Sequence, residues 1–157
     1  MDSQNDHGSA PSHWLSIEPG RLIARGHPAG DFLEAYDWRV VVEDVGCLEI
    51  DAHLPDRVLN PRGHLFGGFT PTYVELVSLH VARAGPDRTK PDTPRTWMAT
   101  VNMRVDYFEP ITGPRFTIKA SVEHRRNRNW LVSTQMFQDG TLATYALTTM
   151  RSQDPIG

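Results

Sequence analysis

The chain has 157 residues, 39% of them hydrophobic and 22% charged, with a formal net charge of −3. That length suits one domain with a single core, and no apolar run is long enough to cross a bilayer as a helix. The weak negative charge excludes a general attraction to nucleic acid, and one cysteine, Cys47, excludes an internal disulfide.

Residues 1–13 are polar and rich in Gly and Pro, with too little apolar surface to offset the entropy of ordering, and a mobile tail is expected. They lack the basic start and apolar stretch of a secretion signal, so the expected compartment is the cytoplasm. Residues 14–37 carry short apolar groups broken by Pro19, Gly20, Gly26 and Pro28 and read as a covering segment. Within it, DFLEAYDW is expected to make two helical turns with Phe32, Leu33 and Tyr36 on one side. Trp14 and Trp38 read as packing residues.

Residues 38–152 form the main domain. RVVVEDV, a turn at Gly46, and CLEIDAHL read as a hairpin in which Leu48, Ile50 and Ala52 alternate with Glu49, Asp51 and His53. The next stretch, NPRGHLFGGFTPTYVELVSLHVARAG, leads through a glycine pair into a helix over about residues 68–84. Thr70 is expected to cap it, Pro71 suits its first turn, and Gly85 followed by Pro86 ends it. Its apolar residues cover most of its circumference, which predicts burial on several sides. Glu75 is the one carboxylate on it, and that exception marks it as a candidate functional group.

After the polar, proline-rich residues 86–96 come four strand-like runs. In the first, Val101, Met103, Val105 and Tyr107 alternate against Thr100, Asn102, Arg104 and Asp106. Gly113-Pro114, RRNRN and Asp139-Gly140 turn the chain into the remaining three, the last pair being a strong hairpin signal. Six strands and one buried helix predict an α+β domain, a meandering antiparallel sheet curled round the helix. The histidines show no paired ligand spacing with Cys or acids, and no metal is expected.

Asn60, Gly63, Gly67, Gly68 and Glu75 fall in the order and spacing of the hotdog-fold thioesterases of the phenylacetyl-CoA and 4-hydroxybenzoyl-CoA type. In that pattern an acid follows the first helix glycine by eight residues. TVNMRVDYFEPITG and QDGTLATYALTTM also resemble that family's next strand and last hairpin, so the resemblance covers residues 38–151. It implies a hotdog fold, a curved antiparallel sheet around a central helix, and hydrolysis of an acyl-CoA thioester without any cofactor beyond the CoA of the substrate. It assigns Gly67 the oxyanion-binding amide, Glu75 the role of general base or nucleophile, and Asn60 and Thr100 the positioning of water or carbonyl. It further implies a homodimer or a dimer of dimers, with Asn60 and Gly67 of one subunit facing Glu75 and Thr100 of the other.

The chemistry agrees with these roles. A helix start offers N–H groups without intrahelical partners, glycine lets the backbone approach a ligand closely, and a carboxylate two turns on can activate water or attack directly. Burial raises the pKa of such a carboxylate and the helix start lowers it. Gly68, His64, Leu79 and Phe66 are the expected substrate contacts. Arg125, Arg126 and Arg128 form the strongest basic cluster, and guanidinium forks suit the phosphates of CoA.

The sequence departs from the family pattern at Phe66, where the family carries histidine. This departure motivates an alternative, a non-hydrolytic domain that binds acyl-CoA or processes a thioester in biosynthesis. A ligand-free scaffold is a third reading, and it predicts an arginine paired with Glu75.

Overall fold

A computed structural model describes residues 17–85, 88 and 97–153. The proposed tail, Trp14 and all of residues 86–96 except Arg88 lie outside the described residues.

The first hairpin forms as its alternation requires. Strand β1 (Arg39–Asp44) pairs with β2 (Cys47–His53), and Leu48, Ile50 and Ala52 are fully buried. The remaining strands are β3 (Trp97–Tyr107), β4 (Arg115–Arg126), β5 (Asn129–Gln138) and β6 (Thr141–Gln153). All pairings are antiparallel, in the order β1-β2-β4-β5-β6-β3. The sheet is therefore not the simple meander expected: β4 joins β2, and β3 crosses to the far edge beside β6. The β5–β6 turn is as expected, with Asp139 (φ 49°) and Gly140 (φ 79°) both left-handed, the combination a two-residue hairpin needs to follow the strand twist.

Helix α2 (Thr70–Val81) lies against β2, β3, β4, β5 and β6. It is shorter than expected. Gly67–Phe69 forms a separate 3-10 turn, Phe69 rather than Thr70 occupies the cap position, and Thr70 is already helical and buried. At the other end the helix stops at Val81, and Gly85 (φ +138°) sits beyond it, donating its N–H to Glu43.

Tyr73, Val74, Leu76, Val77, Ser78, His80 and Val81 are all buried, so the helix is enclosed on several sides. Each such aliphatic side chain contributes about 1.5–3 kcal/mol relative to exposure. What stays partly open is one stripe, Pro71, Thr72, Glu75, Leu79 and Ala82, at roughly the spacing of successive helical turns. That stripe carries the carboxylate.

The segment ahead of β1 closes one end of the core. Helix α1 (Pro28–Phe32) and a 3-10 turn (Ala35–Asp37) are separated at Glu34, which is left-handed at φ 55°, so DFLEAYDW is not the continuous pair of turns its periodicity suggested. Leu22, Ile23, Leu33, Ala35 and Trp38 are buried, and Trp38 stacks on Tyr73 at 5.3 Å and 9°. Arg88 fastens the far side: it pairs with Glu43 at 2.5 Å and donates to the carbonyls of Leu22 and Arg21.

Candidate active site

Glu75 meets Thr100. The Thr100 hydroxyl donates to Glu75 Oε2 at 2.6 Å, joining the middle of α2 to the edge strand β3. Regular alternation places Thr100 on the outside and Val101 inside, and the structure reverses this. The β3–β6 register shifts between Thr100 and Asn102, leaving Val101 bulged and 63% exposed while Met103 and Val105 turn inward. A bulge re-aims one side chain at the cost of an unpaired residue, and here it aims Thr100 at the carboxylate.

This contact fixes one carboxylate oxygen and leaves the other to take a proton or attack an electrophile. The hydroxyl, having given its hydrogen, keeps lone pairs for a water molecule. Among the described residues no arginine pairs with Glu75, contrary to what a ligand-free scaffold predicts.

A second group forms ahead of the helix. Phe66 donates its N–H to Val58 and Leu65 to Ile111, which pins the loop so that Gly67 opens the 3-10 turn. Among the described residues neither the Gly67 nor the Gly68 N–H donates a hydrogen bond. Both are amides of a first helical turn, at the positive end of the helix dipole.

Asn60 shapes the approach to them. Its side-chain oxygen accepts from the N–H groups of Arg62 (2.9 Å) and His64 (3.1 Å), and its own N–H donates to the His64 carbonyl at 2.7 Å. The carboxamide oxygen is thus committed to the loop, and the NH₂ end is what Asn60 can offer a ligand. Asn60, His64, Gly67, Thr70, Tyr107 and Thr144 help line a cavity of about 290 Å³.

Phe66 is 51% exposed and folds over the glycine pair: a Cβ on Gly68 would meet its ring at 2.7 Å, whereas a Cβ on Gly67 would meet only the Tyr107 ring, at 3.7 Å. Gly68 is therefore the glycine whose missing side chain admits the Phe66 ring. Behind Phe66 stand Phe69 (5.7 Å) and Phe32 (5.4 Å from Phe69).

One residue beside this group carried no site role in the sequence. Tyr107 donates its hydroxyl to the Gly67 carbonyl at 2.8 Å. The only signal for it was its place at the end of the alternating row Val101, Met103, Val105 and Tyr107.

The expected site residues thus fall into two groups within one chain. Glu75 and Thr100 form one, with Leu79 one turn along the same stripe. Asn60, His64, Phe66, Gly67 and Gly68 form the other, eight helical positions and roughly 12 Å away. Arg125, Arg126 and Arg128 lie apart from both at the exposed β4–β5 tip. Arg125 packs over the Trp130 ring at 4.2 Å. It also shares a row with Thr100, since Arg125 pairs with Trp130, Trp130 with Met150 and Met150 with Thr100. Three interstrand spacings make about 14 Å.

His80 belongs to the core. Its Nδ1 contacts the Leu76 carbonyl at 2.7 Å, and burial, with Arg88, Arg83 and His27 nearby, pushes its pKa down to about 3. The ring is neutral at physiological pH.

The thioesterase superfamily model matches residues 62–144. No curated protein matches the chain. Among solved structures, a phenylacetic acid degradation-related protein of Ralstonia eutropha JMP134 is 23% identical, with 82% of this chain and 92% of that one covered and a TM-score of 0.66. A hypothetical thioesterase of Streptococcus pneumoniae TIGR4, solved with coenzyme A, is 17% identical over 74% and 86%, with a TM-score of 0.62. A Streptococcus mutans UA159 protein bound to acetyl CoA is 17% identical over 74% and 89%, also at 0.62.

A six-stranded antiparallel sheet around one main helix is the hotdog architecture these structures share. The chain belongs to the thioesterase superfamily, and its chemistry is thioester hydrolysis.

Proposed function

We propose that the protein hydrolyses acyl-CoA thioesters, with Glu75 as general base or nucleophile and the Gly67 N–H as oxyanion donor. The observation that carries this reading is the 2.6 Å bond from Thr100 to Glu75. It leaves a half-buried carboxylate oriented by a hydroxyl, on the one open stripe of an otherwise enclosed helix. Water held between them would lose its proton to Glu75 as it attacks the thioester carbonyl, while the negative charge on the carbonyl oxygen is met by an amide at the helix start. Direct attack by Glu75 would give an acyl anhydride that water then cleaves. Asn60, through its NH₂ group, orients the carbonyl or water. His64, Phe66, Gly68 and Leu79 contact the acyl and thioester portion.

Coenzyme A in the S. pneumoniae structure and acetyl CoA in that of S. mutans support CoA as the carrier. The Arg125–Arg126–Arg128 tip, in register with Thr100, is the basic surface suited to its phosphates.

The two groups of residues are joined, in this reading, by a second copy of the chain. Edge strand β3 has no neighbour on one side among the described residues, and Trp97, Val101 and Tyr107 on it are 62%, 63% and 54% exposed. A long apolar edge of this kind is a template for pairing. Antiparallel pairing of two β3 strands about a two-fold axis near Asn102 sets the Tyr107 end of the partner beside the Trp97–Thr100 end of the first chain. Gly67 of the partner subunit, held to Tyr107 in its own chain, then approaches Glu75. Two such sites form per dimer, and dimers can associate further into a dimer of dimers.

The test is thiol release from a panel of short, medium and aryl acyl-CoAs. Wild-type protein is expected to hydrolyse at least one, and Glu75→Gln to lose about 10²–10⁴-fold in kcat. Absence of hydrolysis across the panel, or an unchanged rate in the variant, overturns the proposal.

A further inference from the structure

The geometry points to Tyr107 as a positioning residue that locks the Gly67–Gly68 peptide, so that the Gly68 N–H serves beside the Gly67 N–H as a second oxyanion donor. This rests on the site reading above and adds to it both a donor and the group that holds it.

The Tyr107 hydroxyl donates to the Gly67 carbonyl at 2.8 Å, and the same carbonyl accepts the Thr70 N–H. A trans peptide is planar, with its C=O and N–H directed oppositely. Anchoring the Gly67 oxygen therefore aims the Gly68 N–H away from Tyr107, toward the open N-terminal side of the turn. The N–H groups of successive residues in a helical turn share one direction, so the Gly68 and Gly67 donors face the same side, and neither is consumed within the described residues.

The peptide is held from its other side as well. Phe66 packs so closely over Gly68 that a Cβ there would lie 2.7 Å from the ring. Glycine pairs are the most pliable backbone in a chain. Here one is gripped between a hydroxyl and an aromatic face, which restrains the donors without adding a side chain between them and a ligand. A hydrogen bond accepted by a peptide oxygen also polarises the N–H of that peptide, making it a better donor. The phenol of Tyr107 is thereby spent on a backbone carbonyl at the cavity wall.

The test is Tyr107→Phe, which removes one oxygen and retains the ring. With the acyl-CoA found to be hydrolysed fastest, kcat is expected to fall about fivefold, the scale of one neutral hydrogen bond. KM and Tm are expected to stay unchanged. The Gly68 amide proton resonance is expected to move upfield as its peptide loses polarisation. An unchanged kcat, a rise in KM alone, a loss of activity explained by a lower Tm, or an unmoved Gly68 resonance overturns the inference. Glu75→Gln separates the two claims: if it is inactive while Tyr107→Phe runs at the full rate, Tyr107 fails and the site reading stands. If Glu75→Gln keeps the wild-type rate, the site reading fails, and the Gly68 resonance still judges whether Tyr107 controls that peptide.

Discussion

Glu75 and Thr100 lie far apart in the chain and 2.6 Å apart in the fold, and both were readable as candidates for different reasons. Glu75 stood out because a carboxylate among apolar helix residues requires an explanation. Thr100 stood out only through family resemblance, since a threonine in a strand is ordinary. Tyr107 could not be read, because its role depends on a hydroxyl meeting a carbonyl forty residues earlier. His80 shows the opposite outcome: it lies one turn beyond Leu76 on the candidate helix, yet its ring faces the core. With a pKa near 3 in the fold against 6.5 for an ordinary histidine, the folded protein resists a proton that the unfolded chain accepts. Stability should therefore fall as pH drops from about 6.5 toward 3, by at most about 1.4 kcal/mol per pH unit. Urea denaturation at pH 7, 6 and 5 should show this slope in wild-type protein and a flatter one in His80→Gln. Equal slopes in the two proteins would remove His80 as the cause.

At the scale of elements, the hairpins were legible because their turns carry their own chemistry, as Asp139-Gly140 does. The placement of β3 was not, because no turn residue specifies that a strand following the helix should join β6 rather than β4. The inward face of β3 differs from regular alternation for a related reason: period-two alternation assumes an unbroken ladder, and the bulge at Val101 breaks it where Thr100 turns inward to Glu75. The helix start was read more nearly correctly, although the 3-10 turn at Gly67–Phe69 displaces Thr70 from the cap. That turn offers a direct test of the backbone donor. Phe66 is extended (ψ 126°), a conformation that accepts a following proline, and Gly67 is the first residue of the turn. Gly67→Pro deletes the N–H and puts the ring Cδ in its place, and the added Cβ meets only ordinary contact with Tyr107. The expected loss is about 10²–10³ in kcat with Tm nearly unchanged. Circular dichroism would verify that α2 survives, and full activity in a folded variant would remove the Gly67 amide from the mechanism.

For the whole molecule, the enclosure of α2 by five strands and the covering segment explains why one sheet and one helix suffice for a core. The same arrangement leaves the Glu75 stripe and the β3 edge open on the remaining side. A monomer holds each half of the proposed site but keeps the halves roughly 12 Å apart, so the proposed working site is assembled between two chains. Mixing two inactive variants tests this assembly. Glu75→Gln and Gly67→Pro, each nearly inactive alone, are unfolded together, refolded to equilibrium and assayed for thiol release from the best acyl-CoA. In a shared-site dimer, half of the randomised dimers carry one intact site, and the mixture should recover about a quarter of the wild-type rate. A mixture no more active than its two components, from subunits shown by sedimentation to have exchanged, would rule out a site shared between subunits.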